Sequence, residues 1–267
     1  MNLPVGLRMM YCESNPAGIG KQSFKGTYEI IIKNLGHEKE VSVWVEKNDV
    51  WEERAAEFSE SMTDNVEKWI APVNQEDHEF AIKYKVNGLT YWDNNGGINY
   101  MIPEVHNKAA VVIGREFPVL LGSSSLVKNK LKIHIAVQNI AYQKEIGVIY
   151  TTDNWENCHK AIARYSWSMI SGTEVWSVNL NLGGVSNVDY VLFYQVNGCE
   201  YWDNNFNRNY FIKPQGVITK TAENNEIKAE IWELAEPPKV IPQKVKSVEK
   251  EIEIKPKIQE SELLPAS

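Results

Sequence analysis

Short alternating runs of apolar and polar residues dominate the chain. FAIKYKV from Phe80 to Val86 is typical, with every second side chain apolar, the period of a strand that buries one face. No amphipathic helix of useful length breaks this pattern in the first four-fifths of the sequence, so it predicts an all-β protein. The pattern also repeats. VNGLTYWDNNGGINYMI at residues 86–102 returns as VNGCEYWDNNFNRNYFI at 196–212, and KNLGHEKEVSVWV at 33–45 returns as QNIAYQKEIGVIY at 138–150. A tryptophan follows each of the latter stretches, Trp51 and Trp155. A unit of this length is a duplicated domain rather than a solenoid repeat. We expect two tandem immunoglobulin-like antiparallel β-sandwiches of about seven or eight strands each. The boundaries are drawn at 1–104 for the first copy, 105–116 for a connector, 117–215 for the second copy and 216–267 for a mostly disordered tail, with a short helix expected around Ile227 to Leu234.

In both copies Asn-Gly, the strongest short hairpin signal, joins two strand patterns at Asn87-Gly88 and Asn197-Gly198. A two-residue turn sets the register, which pairs Val86 with Leu89, Tyr84 with Tyr91 and Lys83 with Trp92. The second copy pairs Val196 with Cys199, Tyr194 with Tyr201 and Phe193 with Trp202. Phe80, Ile82, Tyr84, Val86, Leu89 and Tyr91 then share the core face. Trp92 falls on the other face, with Lys83, Lys85 and Thr90, and Trp202 keeps company with Gln195 and Glu200. A large aromatic on a polar face, placed alike in both copies, is the informative kind of exposed apolar surface. The bland alternative is a tryptophan that covers a sheet edge or packs on the neighbouring copy. Beside each ring runs an amide-rich turn, Asp93-Asn94-Asn95 in the first copy. A flat aromatic next to planar amides suits a pyranose, which has an apolar C–H face and a rim of hydroxyls. Asn99 and Asn209 read as turn residues, and Tyr100 and Tyr210 as core.

Charge and cysteine usage narrow the partners. A net charge of −7 with no basic stripe speaks against nucleic acid. No segment reaches the length of a membrane span, and the first residues lack a secretory pattern, so the expected setting is cytoplasmic. Cys12, Cys158 and Cys199 are too few and too scattered for a disulfide framework or a zinc site, and no cofactor or metal is expected.

At the repeated residues the sequence resembles the family 21 carbohydrate-binding modules, the starch-binding modules of fungal glucoamylases and of the glycogen-targeting subunits of protein phosphatase 1. QNIAYQKEIGVIYTTDNW from Gln138 to Trp155 and YWDNNFNRNY from Tyr201 to Tyr210 carry the closer match. The resemblance implies sugar contacts from Asn139, Tyr142, Lys144, Trp155, Trp202, Asn204 and Asn205. In the first copy it implies Asn34, His37, Lys39, Trp51, Trp92, Asn94 and Asn95. That copy departs from the pattern: His37 replaces the aromatic, and EKNDVW from Glu46 to Trp51 has an extra residue and lacks Thr-Thr-Asp, so weaker or single-site binding is expected there. Lys39 and Lys144 divide evenly between a ligand role and ordinary exposed lysines.

The expected function is non-catalytic binding of an α-1,4-glucan, starch or glycogen, with no paired carboxylates, triad or phosphate loop to suggest an enzyme. The alternative is a glycogen-targeting scaffold that recruits an enzyme through its tail. The docking motif of such scaffolds, a basic residue before Val-x-Phe, is not found in the connector or tail, and Val191-Leu192-Phe193 lies within an expected strand. A third reading is an adhesion tandem that shares the fold without the sugar site.

Overall fold

Alternate apolar positions make the elements. Val5, Leu7, Ile30, Ile32, Val43, Val45, Phe80 and Ile82 all turn inward and are fully buried, which a period of two requires of strands packed face to face. The structure, a computed structural model, describes residues 3–16, 22–63, 65–103, 109–169 and 171–214, and every regular element among them is a strand. The tail and its expected helix lie outside the described residues.

The first copy contains β1 (Val5–Pro16), β2 (Gln22–Lys33), β3 (Lys39–Lys47), β4 (Val50–Ala55), β5 (Glu57–Thr63), β6 (Val66–Pro72), β7 (Glu79–Val86), β8 (Leu89–Asp93), β9 (Tyr100–Met101) and β10 (Ala109–Ile113). They form two antiparallel sheets, ordered β10-β1-β2-β6-β5 and β4-β3-β7-β8, with β9 added to β7. The second copy contains β11 (Val119–Val127), β12 (Lys130–Gln138), β13 (Lys144–Thr151), β14 (His159–Ile162), β15 (Arg164–Ser168), β16 (Thr173–Asn181), β17 (Val188–Val196), β18 (Cys199–Asp203) and β19 (Tyr210–Ile212). Its sheets run β11-β12-β16-β15 and β14-β13-β17-β18, with β19 on β17. Each pair of sheets encloses its own apolar cluster. Short edge strands such as β4, β9 and β14 raise the count above the expected seven or eight.

Two expectations change. Ala109–Ile113, assigned to the connector, pairs antiparallel with β1, from Met9 opposite Ile113 to Glu13 opposite Ala109. The run AAVVI has inward and outward uses. Ala110 and Val112 complete the first core, whereas Val111 and Ile113 join Met9, Leu120 and Ala136 in a third cluster that glues the outer face of β1 and β10 to β11 and β12. The copies therefore belong to one contiguous body rather than two modules on a string. Gly114 makes the tight passage: a Cβ there would stand 1.7 Å from the Leu7 carbonyl oxygen. Leu89, expected in the core, is 58% exposed because the hairpin tip runs past the sandwich.

Candidate functional site

Both Asn-Gly turns adopt positive φ at their two central residues, 51° and 75° at Asn87 and Gly88, 49° and 76° at Asn197 and Gly198. The register is the one their sequence demands: Lys83 faces Trp92, and Phe193 faces Trp202. Trp92 is 45% exposed and Trp202 44%. Each ring is braced from beneath, by different means. In the second copy Gly147, Phe193 and Trp202 form one row across β13, β17 and β18. Phe193 lies on the bare backbone of Gly147, where a Cβ would come within 2.8 Å of the ring, and Trp202 covers it at 6.0 Å between centroids. Lys160 Nζ sits 4.6 Å from the same Phe193 ring. Trp202 is therefore a lid over a buried phenylalanine as well as an exposed surface. In the first copy the row is Ser42, Lys83 and Trp92. Trp44 meets Trp92 edge-on at 5.9 Å, and Lys83 Nζ lies 5.4 Å from the Trp44 ring and 5.9 Å from the Trp92 ring. Glu53 holds Lys83 at 3.0 Å, and its pKa is lowered by hydrogen bonds from Ser42 and Lys83. Trp44 escaped sequence reasoning because Ile149 occupies its place in the second copy.

The asparagine loops beside these rings are built alike. Asp93 and Asp203 are buried, and each ties the loop to the opposite sheet. Asp93 accepts from Tyr100 Oη at 2.9 Å and from the Leu7 amide at 2.8 Å; Asp203 accepts from Tyr210 Oη at 2.6 Å and from the Leu121 amide at 3.0 Å. Leu7 and Leu121 each begin a β-bulge, the first extending to Met9 and the second to Ser123. A bulge frees a backbone N–H from the ladder, and the aspartate supplies its acceptor. Asn95 and Asn205 take φ of 54° and 53°, and each side-chain amide closes its loop on the Asn99 or Asn209 carbonyl. Asn94 and Asn204 accept backbone amides from Gly97 and Asn207. Asn99 and Asn209 are left-handed turn residues, as expected, and Tyr100 is core, whereas Tyr210 packs against its core only partly buried. Phe206, where the first copy has Gly96, keeps φ at 58° despite its bulk. It lines a 250 Å³ pocket with Trp202, Asn204, Phe117 and Arg8, and sequence reasoning missed it.

The third constellation is a chain of contacts present twice. Lys144 Nζ donates to Asn139 at 2.7 Å and pairs with Glu174 at 2.9 Å, Glu174 accepts from Trp176 Nε1 at 2.9 Å, and Tyr165 meets Trp176 edge-on at 5.7 Å. Lys39 likewise joins Asn34 and Glu67 at 2.7 Å each, Glu67 accepts from Trp69 at 3.0 Å, and Phe58 meets Trp69 at 5.9 Å. The Lys144 side chain is 3% exposed and that of Lys39 9%. Neither is an exposed strand-end lysine: each ammonium bridges its asparagine and its glutamate. Phe58, Tyr165 and their tryptophans were missed, although FSESM followed by EKW and YSWSM followed by EVW repeat at 58–69 and 165–176. Tyr142 stands beside this network 98% exposed, and His37 is exposed at the matching place.

Trp155 and Trp51 are not equivalent. Thr151 and Asp153 shape a loop in which Trp155 takes φ 70°, its amide donating to Thr151 Oγ1 at 3.2 Å. Hydrogen bonds from Thr151 and Asn157 push the Asp153 carboxyl down to about 2. In the first copy the extra residue makes a tight Asn48-Asp49 turn, and Trp51 falls on β4 opposite Glu46.

The register separates the second copy's residues. Asn139, Tyr142 and Lys144 gather where β13 begins, opposite Val196; Trp155 follows Thr151 at the other end, opposite Asp189. Eight extended residues place those ends about 25 Å apart. Trp202, opposite Phe193 and so level with Gly147, lies midway between them, and β18 runs on from it toward the Trp155 end, with Asp203 opposite Leu192.

Comparison with known proteins bears on this copy. The model of the family described as carbohydrate/starch-binding module (family 21) matches residues 115–213. Glucoamylase 1 of Rhizopus oryzae is 36% identical over 89 residues, 32% of this chain and 14% of that enzyme. Protein phosphatase 1 regulatory subunit 3C of Bos taurus is 28% identical over 115 residues, 39% of this chain and 36% of that subunit. This chain thus spans well under half of either relative. The solved starch-binding domain of Rhizopus oryzae glucoamylase, in complex with β-cyclodextrin and maltoheptaose, is 31% identical; the match covers 38% of this chain and 93% of that one, with a TM-score of 0.30. Residues 115–213 of this chain are a family 21 carbohydrate/starch-binding module.

Proposed function

We propose that the chain binds an α-1,4-glucan, starch or glycogen, through both copies and carries out no chemistry on it. The observation that carries this reading is Trp202: half-exposed, braced from below by buried Phe193, and set beside an Asn204-Asn205 loop that Asp203 anchors. Trp92 with Asn94 and Asn95 repeats the arrangement, and the two Asn-Lys-Glu-Trp networks supply second clusters with Tyr142 and Tyr165 in one copy and Phe58 in the other. Such rings beside fixed amides suit the apolar face and hydroxyl rim of glucose. Lys39 and Lys144 act by orienting Asn34 and Asn139. The test is retention on amylose, glycogen, cellulose and chitin, with chelator present. Wild type is expected on the two α-glucans and Trp202→Ala to be retained less; preference for cellulose, or loss of binding in chelator, overturns the reading.

Similarity to phosphatase regulatory subunits favours a second reading, recruitment of an enzyme through residues 216–267. Val191-Leu192-Phe193 is unsuited to docking, since Phe193 is 1% exposed within β17. Deleting the tail should leave glucan retention intact, and a loss would place binding residues within it.

A further inference from the structure

A groove of about 620 Å³ runs between the copies, lined on one side by Asn95, Ile98 and Met101 of the first copy and on the other by Arg115, Asn139 and Ile140. Small-molecule sites usually measure about 300–1,000 Å³. Its two banks are the asparagine loop of the first copy, which follows Trp92 in the chain, and the Asn139 loop of the second, which leads to Tyr142. The third apolar cluster and Gly114 fix these banks relative to each other. From this geometry we infer a composite glucan site at the junction, in which one α-glucan chain runs from the Trp92–Asn95 loop across the groove to Asn139 and Tyr142. The inference rests on the glucan reading above and goes beyond it, because neither copy alone contains this site.

The chemistry of the lining supports that occupant. Ile98 is 76% exposed, Met101 60% and Ile140 41%, which offers apolar contact for sugar C–H faces. Asn95 Nδ2 donates to the Asn99 carbonyl, leaving its Oδ1 to accept, and Asn139 Oδ1 is taken by Lys144, leaving its amide to donate. Arg115 reaches over Gly96, where a Cβ would stand 2.7 Å from Nη1, and it has no carboxylate partner among the described residues. Its guanidinium brings five donors in a planar fork to the groove lining. A membrane or nucleic acid would call for several cations here. A neutral polyol calls for the single arginine, amides and isolated apolar side chains that are present.

The test compares maltotriose, too short to span both banks, with maltodecaose, by isothermal titration of the full chain. Wild type should bind the longer ligand at least tenfold more tightly per site, and Arg115→Ala and Ile98→Asp should each lose most of that advantage. Both side chains are exposed, so the variants should stay folded, which unchanged thermal melts will verify. If wild type and both variants bind maltodecaose equally well, the groove is not a site, while the glucan reading stands. If wild type binds neither ligand, the glucan reading fails and the groove fails with it.

Discussion

Trp202 does two things that a stability measurement and a binding measurement separate. On the proposed glucan reading its free face is the anchor, so Trp202→Ala should weaken glucan binding by about 2 kcal/mol or more, the scale of an aromatic hot spot. Its other face covers Phe193, so the same change should lower stability by about 1 kcal/mol, the scale of an aromatic pair. An outward position read from alternation alone implies almost no stability cost, because alternation reports which face a side chain joins and not what lies beneath it. Calorimetric titration and urea unfolding of the variant check both numbers. Phe206 gives the complementary case. A left-handed backbone costs a non-glycine residue about 1–2 kcal/mol, and such strain is retained where the surroundings require it. Phe206→Gly is therefore expected to leave stability unchanged or raised while glucan binding falls; a large loss of stability would mean that the ring is kept for packing. Asp153 titrates well outside the working range. Its folded pKa of about 2 lies below the ordinary value, so its contribution to the Trp155 loop is complete above about pH 4 and fades only as the pH drops through about 2.

Among elements, the two copies solve one problem with different residues. In β13 Gly147 leaves room for Phe193, and Gly147→Ala would also bring a Cβ 2.2 Å from the Ala161 carbonyl. Overpacking of this kind costs about 1–3 kcal/mol, and the displaced Phe193 should carry Trp202 with it, so binding at the second copy should fall in parallel with the melting temperature. The aspartates of the asparagine loops are the stronger structural bet. Asp203→Ala strands the Leu121 amide and the Tyr210 hydroxyl, each an unsatisfied group costing about 1–3 kcal/mol, so a loss of about 3 kcal/mol or more is expected in urea unfolding. A loss below 1 kcal/mol would show that water replaces the carboxylate. The hairpin register, including the pairing of Phe193 with Trp202, was legible because the turn type dictates it. The partnership of Asp203 with Leu121 was not, because the bulge that frees that amide lies on the opposite sheet.

For the whole molecule the consequential contact is Arg8. It stands at the β1 bulge, 10% exposed, with Nη1 2.7 Å from Glu29 and Nη2 3.1 Å from Tyr210 Oη of the other copy. Burial works against its charge, but Tyr210, Asp203 and Glu29 outweigh that and raise its pKa. Arg208 Nη1 adds a bridge to Glu60 at 3.1 Å, an exposed pair of small worth. With Arg8 removed, the interface keeps its small apolar cluster, the exposed Arg208–Glu60 pair and the hydrogen bond from Gln138 Nε2 to the Gly114 carbonyl at 2.7 Å. Wild type should unfold in one calorimetric transition and Arg8→Ala in two; a single transition in the variant would assign the coupling to β10 and its cluster instead. Because the copies are packed, any gain from having two sites depends on a fixed angle between faces rather than on the reach of a linker.

What the sequence by itself determined was local: strands from alternation, hairpins from Asn-Gly, a duplication from repeated motifs, and an outward tryptophan from register. Each follows from steric rules that act over a few residues, which is why they can be read without coordinates. The tertiary structure alone decided which polar groups spend their hydrogen bonding on the protein. Lys39 and Lys144 are held because Glu67 and Glu174, on strands distant in sequence, meet them in the folded sandwich. It also turned Ala109–Ile113 from a link into a strand, since whether an apolar run lies free or pairs depends on an open sheet edge within its reach, and β1 provides one.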